Sequence, residues 1–275
     1  MYFFLFSGTG GGIIFAVLFV VNGFNFKERL NIAQGITSSG TGLGLFILAP
    51  VFETSKVHFG YTGLFFVMAA LAMQMAVFGA LMRPSSVELK VKTLRNCGQK
   101  RQHQSFTGKL RYQFDIYGKA LCRAYICLIS FSMFFYCGGI YAMFLHWPNF
   151  CLQRGFSPMQ SSYALSIVGL LSIGGRFVSG VIASLRYVSE RMVYSGSLMI
   201  LGTSLILFFL YSKTFPGHIV LAVMVGLLNG SVYVVITSLT ARGCGLQFLS
   251  AAVGIEFMFG GIGSVALPLI SGMKF

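Results

Sequence analysis

The chain has 275 residues and a formal net charge of +14, yet only 9% of the residues are charged while 56% are hydrophobic, and the mean hydropathy is +0.79. A soluble domain carries about 25% charged residues, and a globule this poor in charge could not cover its surface with polar groups. The composition therefore excludes a soluble enzyme or binding domain and calls for lipid, in which the outer face of a protein can be apolar.

A bilayer core of about 30 Å needs roughly 20 apolar residues in a helix. Runs of that length lie at 2–24, 30–52, 60–82, 120–147, 158–183, 189–211, 217–240 and 247–273. They lack the short alternation of barrel strands, which leaves helices as the spanning solution. The fold class read from the sequence is therefore all-α integral membrane, with about eight transmembrane helices.

The first run follows Met1 directly, has no basic leader and no clear cleavage site, and is expected to remain as a helix. In the second run, Gly40 and Gly44 stand four apart, with Gly35 five residues before Gly40 and Ser38, Ser39 and Thr41 among them. This spacing suits close helix approach, either as a static packing face or as a sliding one. A phosphate-cradling loop at 40–44 is a poor alternative, because no strand precedes it and no Lys follows. Gly8–Gly12 and Gly226–Gly230 repeat the same spacing in the first and seventh runs.

After the third run the pattern breaks. Residues 84–119 are polar and rich in Lys and Arg, and they divide the chain into 1–83 with three spans and 120–275 with five. The connections alternate in charge. One side gathers Lys27, Arg29, the cations of the long loop, Arg186, Arg191 and Arg242; the other holds Lys56, Arg154, Lys213 and Lys274. Such a bias marks the rich side as cytoplasmic, and the basic loop can meet anionic lipid there. No nucleic-acid reading motif accompanies the charge, so nucleic acid is not expected as a partner. With an even number of spans both termini fall outside, and the 3 + 5 layout looks like a 6 + 6 layout that lacks helices at both ends.

Two ionisable residues fall well inside spans: Arg176 in the fifth and Glu256 in the eighth. An arginine at such depth costs at least about 2.5 kcal/mol on insertion scales and normally faces a cavity or a partner. Its planar fork suits a carboxylate through two parallel hydrogen bonds; the competing reading is an arginine that snorkels or serves packing. Glu256 could pair with a cation or satisfy a neighbouring helix. Asn229, Ser231 and Tyr233 put polar groups into the seventh run, and Tyr136 and Tyr141 in the fourth could line the same cavity or serve as aromatic filler. His58, His103, His146 and His218 lie in or beside loops without carboxylate or cysteine partners at ligand spacing, and the six cysteines read as apolar filler. No catalytic constellation and no metal site appears, so an enzyme is not expected.

Five stretches together resemble the monocarboxylate transporter family of the major facilitator superfamily. They are FKERLNIAQG at 26–35 with SSGTGLG at 38–44 and LAP at 48–50; GALMRP at 79–84; PNF at 148–150 with GFS at 155–157; GRFVSG at 175–180; and AVG at 252–254 with LPLISG at 267–272. The resemblance implies a partial major-facilitator fold, truncated to family helices four through eleven. It implies a multi-pass plasma-membrane secondary transporter of small monocarboxylates or related organic anions, working by symport where proton-coupled. Arg176, Asn229, Tyr233 and Tyr136 are the candidate substrate contacts; Glu256 and Ser172 are the coupling or cavity candidates. Ser172 stands one turn before Arg176, where proton-coupled members of the family carry an acid. Partners implied are the organic anion, the lipid bilayer and a single-span accessory glycoprotein; no cofactor is expected. The alternative is a non-transporting truncated isoform or regulatory membrane protein.

Overall fold

A computed structural model describes residues 2–26, 29–81, 87–90, 93, 117–118, 121, 124–211 and 214–272. Most of the basic loop at 84–119 lies outside the described residues, as do Lys27, Glu28, Lys213 and Lys274. The long elements are all helices: α1 Tyr2–Asn25, α2 Leu30–Leu81, α3 Ala124–Gln153, α4 Pro158–Ser184, α5 Glu190–Tyr211, α6 Phe215–Cys244 and α7 Leu249–Gly272. Among the described residues, six helical stretches are long and apolar enough to cross a membrane: His58–Leu81, Ala124–Gln153, Tyr163–Ser184, Glu190–Phe208, Phe215–Cys244 and Leu249–Gly272. Large apolar side chains such as Leu128, Met199, Ile206 and Leu269 stay exposed on the outer faces, the arrangement lipid requires.

One boundary differs from the expectation. The second and third runs were to be joined by a loop, but α2 continues for 52 residues and leaves helical geometry only at Gly60, with φ 66° and ψ −170°. The segment at 53–59 contains neither Gly nor Pro, so nothing in it stops a helix. Gly60 alone has the backbone freedom to break the rod there. Beyond it, residues 61–81 contain no buried side chain among those described.

Helix ends follow local chemistry. Ser157 and Gln160 form a capping box at the start of α4, with Pro158 in the first turn. Just before it, α3 closes with Gly155 at φ 81°, Phe156 N–H donating to Cys151 O and Gly155 N–H to Leu152 O. This is the paired bonding of a Schellman cap, which needs the left-handed glycine. Gly245, at φ 78°, ends α6.

The main pairings are α3 on α7, α4 on α6, α2 on α4 and α5 on α6. In lipid, apolar side chains gain little by associating, so close backbone packing decides which helices meet. A Cβ on Gly263 would sit 2.1 Å from Phe134 O, one on Gly175 2.2 Å from Leu227 O, and one on Gly226 2.9 Å from Val168 O. The α2–α4 crossing uses Gly35 and Gly180, whose Cβ positions fall 2.8 Å from Arg176 O and 2.7 Å from Asn31 O, and Gly42, 2.7 Å from Ile173 Cγ1. This corrects the expected packing motif. Gly35 belongs to it, but Gly40 and Gly44 have nothing within 4 Å of their Cβ positions among the described residues. The contact face repeats after seven residues, from Gly35 to Gly42, and the four-residue pair at 40 and 44 lies on another side of the helix. Gly226 and Gly230, in contrast, do face α4 as their spacing suggested.

At the end opposite Arg186 and Arg242, His218 is fully buried inside the first turns of α6. Trp147 Nε1–H donates to its Nδ1 at 3.2 Å, Cys151 Sγ lies 3.4 Å from the same nitrogen, and the rings of Phe156 and Phe208 close over it at 4.9 and 5.0 Å. Sequence spacing could not show this cysteine–histidine contact, because its members lie on different helices. His218→Ala is expected to lower stability by about 2–4 kcal/mol, from the void and the orphaned indole N–H. Trp147 is the chain's one tryptophan, so its emission reports thermal unfolding directly.

Candidate functional site

Helix α4 places Arg176 between α2 and α6. Its aliphatic stem lies against Gly230, where a Cβ would sit 2.1 Å from Arg176 Cγ. The guanidinium turns toward α2: Nη1–H donates to Ser38 O and to Thr41 Oγ1. The residue is 8% exposed, and its buried Nε has no hydrogen-bond partner among the described residues. Among the described residues, the one ion pair is Glu190 with Arg242, so no described carboxylate neutralises Arg176. A buried guanidinium held only by a carbonyl and a hydroxyl is under-compensated.

The turn of α6 beside it carries the other expected contacts. Tyr136 Oη lies 2.6 Å from both Asn229 O and Asn229 Oδ1 and donates to this pair, tying α3 to α6. The Tyr136 and Tyr233 rings meet edge to face at 5.7 Å. Both tyrosines are within electrostatic range of Arg176. Phe15 of α1 reaches the Tyr233 ring at 5.9 Å, and Phe257 of α7 reaches Phe15 at 5.3 Å. The structure thus gathers Arg176, Asn229, Tyr233 and Tyr136 in one place, cationic on one side and aromatic on the other. Tyr141 of α3 lies within electrostatic range of Tyr136 and Tyr233, although its side chain is half exposed.

Among the described residues, Glu256 has no hydrogen bond or ion pair to this group, whereas Ser172 lies one turn before Arg176 at the same α2–α4 crossing. Ser172 Oγ donates to Gly169 O at 2.8 Å and lies where α4 crosses Gly42 of α2. Glu256 is buried in α7 and accepts from Thr240 Oγ1 at 2.6 Å. Tyr125 of α3 and Tyr194 of α5 lie within electrostatic range of its carboxyl. Glu256 therefore bonds to Thr240, and Arg176 to Ser38 and Thr41, with no direct contact between the two.

Residues 1–268 match the profile of the Major Facilitator Superfamily. The chain belongs to the major facilitator superfamily. Within it, the chain is similar to proteins named monocarboxylate transporter. It is 26% identical to Monocarboxylate transporter 12 of Xenopus laevis over 97% of this chain and 60% of that protein. It is 24% identical to Monocarboxylate transporter 12 of Mus musculus over 97% of this chain and 58% of that protein. Monocarboxylate transporter 4 of Gallus gallus is 22% identical over 92% of this chain and 52% of that protein. The chain thus spans between 52% and 60% of the length of these relatives. Membership of a multi-pass membrane superfamily accords with the apolar helices and with the fold class read from the sequence.

Several contacts of this major-facilitator chain escaped the motif reading. Ser38 and Thr41, read only as small residues, are the partners of Arg176. Asn22 Nδ2 donates to Gln34 Oε1 and Thr37 Oγ1, each at 3.0 Å, and joins α1 to α2. Asn31 reaches Glu190. A signal for these existed: Asn31, Gln34, Ser38 and Thr41 repeat at three and four residues through an apolar run, which marks one polar face of a helix.

Proposed function

We propose that the protein is a secondary transporter of small monocarboxylates or related organic anions. Its basic loop lies on the cytoplasmic side of the plasma membrane. The single observation that carries this reading is Arg176, a buried guanidinium beside Asn229, Tyr136 and Tyr233 with no described carboxylate to neutralise it. A small carboxylate would supply the missing charge, and the aromatic side would cover its apolar part. The relatives' names and the profile match support the same class. The test is uptake of labelled lactate, pyruvate and a branched short carboxylate by cells that express the protein. The expected result is saturable uptake, competed by other monocarboxylates and not by the matching amides. A surface-expressed protein with no uptake above the untransfected level would favour the non-transporting alternative.

Coupling to protons, in this reading, uses Glu256. The position one turn before Arg176 is Ser172, whose hydroxyl is spent on Gly169 O, so it offers no carboxyl there. Glu256 is the buried carboxyl available, bonded to Thr240 and without a cation at ion-pair distance among the described residues. A carboxyl so placed is tolerated when it carries a proton and costly when it does not. Glu256→Gln, which holds the neutral shape permanently, is expected to flatten the rise of uptake on lowering external pH while leaving exchange of labelled for unlabelled substrate within about threefold of wild type. An unchanged pH profile in the variant would remove Glu256 from the coupling role.

A further inference from the structure

The end of the bundle away from Arg186 and Arg242 holds a group of side chains that the transport reading does not use. Trp147 and Cys151 lie one turn apart on α3, and His218 stands at the start of α6. The three are 4%, 2% and 0% exposed. Trp147 Nε1–H donates to His218 Nδ1 at 3.2 Å, and Cys151 Sγ lies 3.4 Å from the same nitrogen. A neutral imidazole has a single acceptor nitrogen. An indole N–H and a thiol S–H therefore compete for one lone pair, and the thiol is the weaker donor. The rings of Phe150, Phe156 and Phe208 surround the imidazole, with centroids at 6.0, 4.9 and 5.0 Å. Residues 152–155, directly after the thiol, are exposed, so the path from water to the sulfur is short.

A sulfur and an imidazole nitrogen facing each other from two helices are a soft donor pair. Among the described residues no third His, Cys, Asp or Glu completes a metal cluster with them. They therefore do not make the four-ligand cage of structural zinc. Two donors suffice for a closed-shell monovalent ion. Charge points the same way. A monovalent ion with a thiolate is neutral, whereas a divalent one leaves a net charge inside a box of rings, which is costly. The Arg154 guanidinium, 5.1 Å from the centre of the Phe150 ring, adds to that cost. An ion about 2.3 Å from sulfur and about 2.0 Å from nitrogen fits the present 3.4 Å separation in a bent arrangement, and an in-line one after the atoms part by about 0.9 Å.

We propose that Cys151 and His218 form a site for one soft monovalent metal ion, of the Cu(I) or Ag(I) class, which ties α3 to α6. On binding, the thiol proton leaves to water, and the thiolate and Nδ1 each donate an electron pair to the ion. The indole N–H of Trp147 then loses its acceptor. The site does not depend on the transport reading.

Trp147 is the chain's one tryptophan, so it reports on this place alone. The test adds Ag(I) in chloride-free buffer to the purified full chain in detergent. The expected result is quenching of Trp147 emission that is complete at one ion per chain. Cys151→Ser, close in shape to the parent, should weaken the binding by about 100-fold or more, since a ligand counts for at least as much as the groups that support it. Cys244→Ser, at the other end of α6, should leave the titration unchanged. Zn(II) at the same concentrations should leave the emission unchanged. X-ray absorption of the one-to-one Cu(I) complex of the parent chain needs no variant, and should show sulfur and nitrogen neighbours. An unaltered Ag(I) titration in Cys151→Ser would overturn the site, as would a neighbour shell of sulfur alone. Binding of Zn(II) as tight as that of Ag(I) would overturn the assignment to a monovalent ion.

Discussion

Arg176→Ala is expected to reduce uptake of a labelled monocarboxylate by about 10- to 100-fold, the range for losing hydrogen bonds to a charged group. Among the described residues the guanidinium is the charge within electrostatic range of Tyr136 and Tyr233, so it is the group there that attracts an anion by full charge. Arg176→Lys keeps the charge but loses the planar fork, so it should raise KM more than it lowers the maximal rate. The competing role is structural, since Arg176 also donates to Ser38 O and Thr41 Oγ1 of α2. Thr41→Val separates the two. It removes a partner of the arginine while sparing the arginine itself. Uptake by Thr41→Val within about threefold of wild type, against near-complete loss in Arg176→Ala at equal surface abundance, supports anion contact. Parallel losses of uptake and of surface protein in both variants would assign Arg176 to packing.

The largest effect on folding is expected at Gly175. Its Cβ would fall 2.2 Å from Leu227 O and 2.7 Å from Leu227 Cα, and backbone on the facing helix cannot yield as a side chain tip can. Gly175→Ala should force α4 and α6 apart, at about 3 kcal/mol or more, the upper part of the range for overpacking. The adjacent Gly174 has nothing within 4 Å of its Cβ position. Gly174→Ala should be neutral or stabilising by about 0.5–1 kcal/mol, since alanine stiffens an exposed helix position. Thermal stability of the two variants in detergent, followed by size-exclusion recovery after heating, gives the comparison. Equal behaviour of the pair would show that α4 and α6 do not meet at this glycine.

Arg176 stands out in the sequence because a charge in an apolar run is costly wherever the run packs, so its depth alone made it a candidate. Tyr136 and Asn229 could be named separately as polar groups in lipid; that they bond to each other across α3 and α6 could not. Glu190 was passed over because it follows a polar connection and looks like any helix-start acid. Its burial by α2 is a tertiary event. Gly40 and Gly44 show the reverse: a spacing typical of helix interfaces with no packing neighbour among the described residues.

The sequence by itself determined that the chain is a set of apolar helices, because the lack of charge admits no soluble surface and a bilayer admits no unpaired backbone. It also determined the major-facilitator likeness, carried by motifs that stay in register along the chain. Only the tertiary structure decided which glycines bring helices together, what holds Arg176, and that Glu256 bonds to Thr240 while Glu190 bonds to Asn31. The physical reason is that helical periodicity gives the face a residue occupies, while the neighbour opposite that face depends on how the other helices cross it.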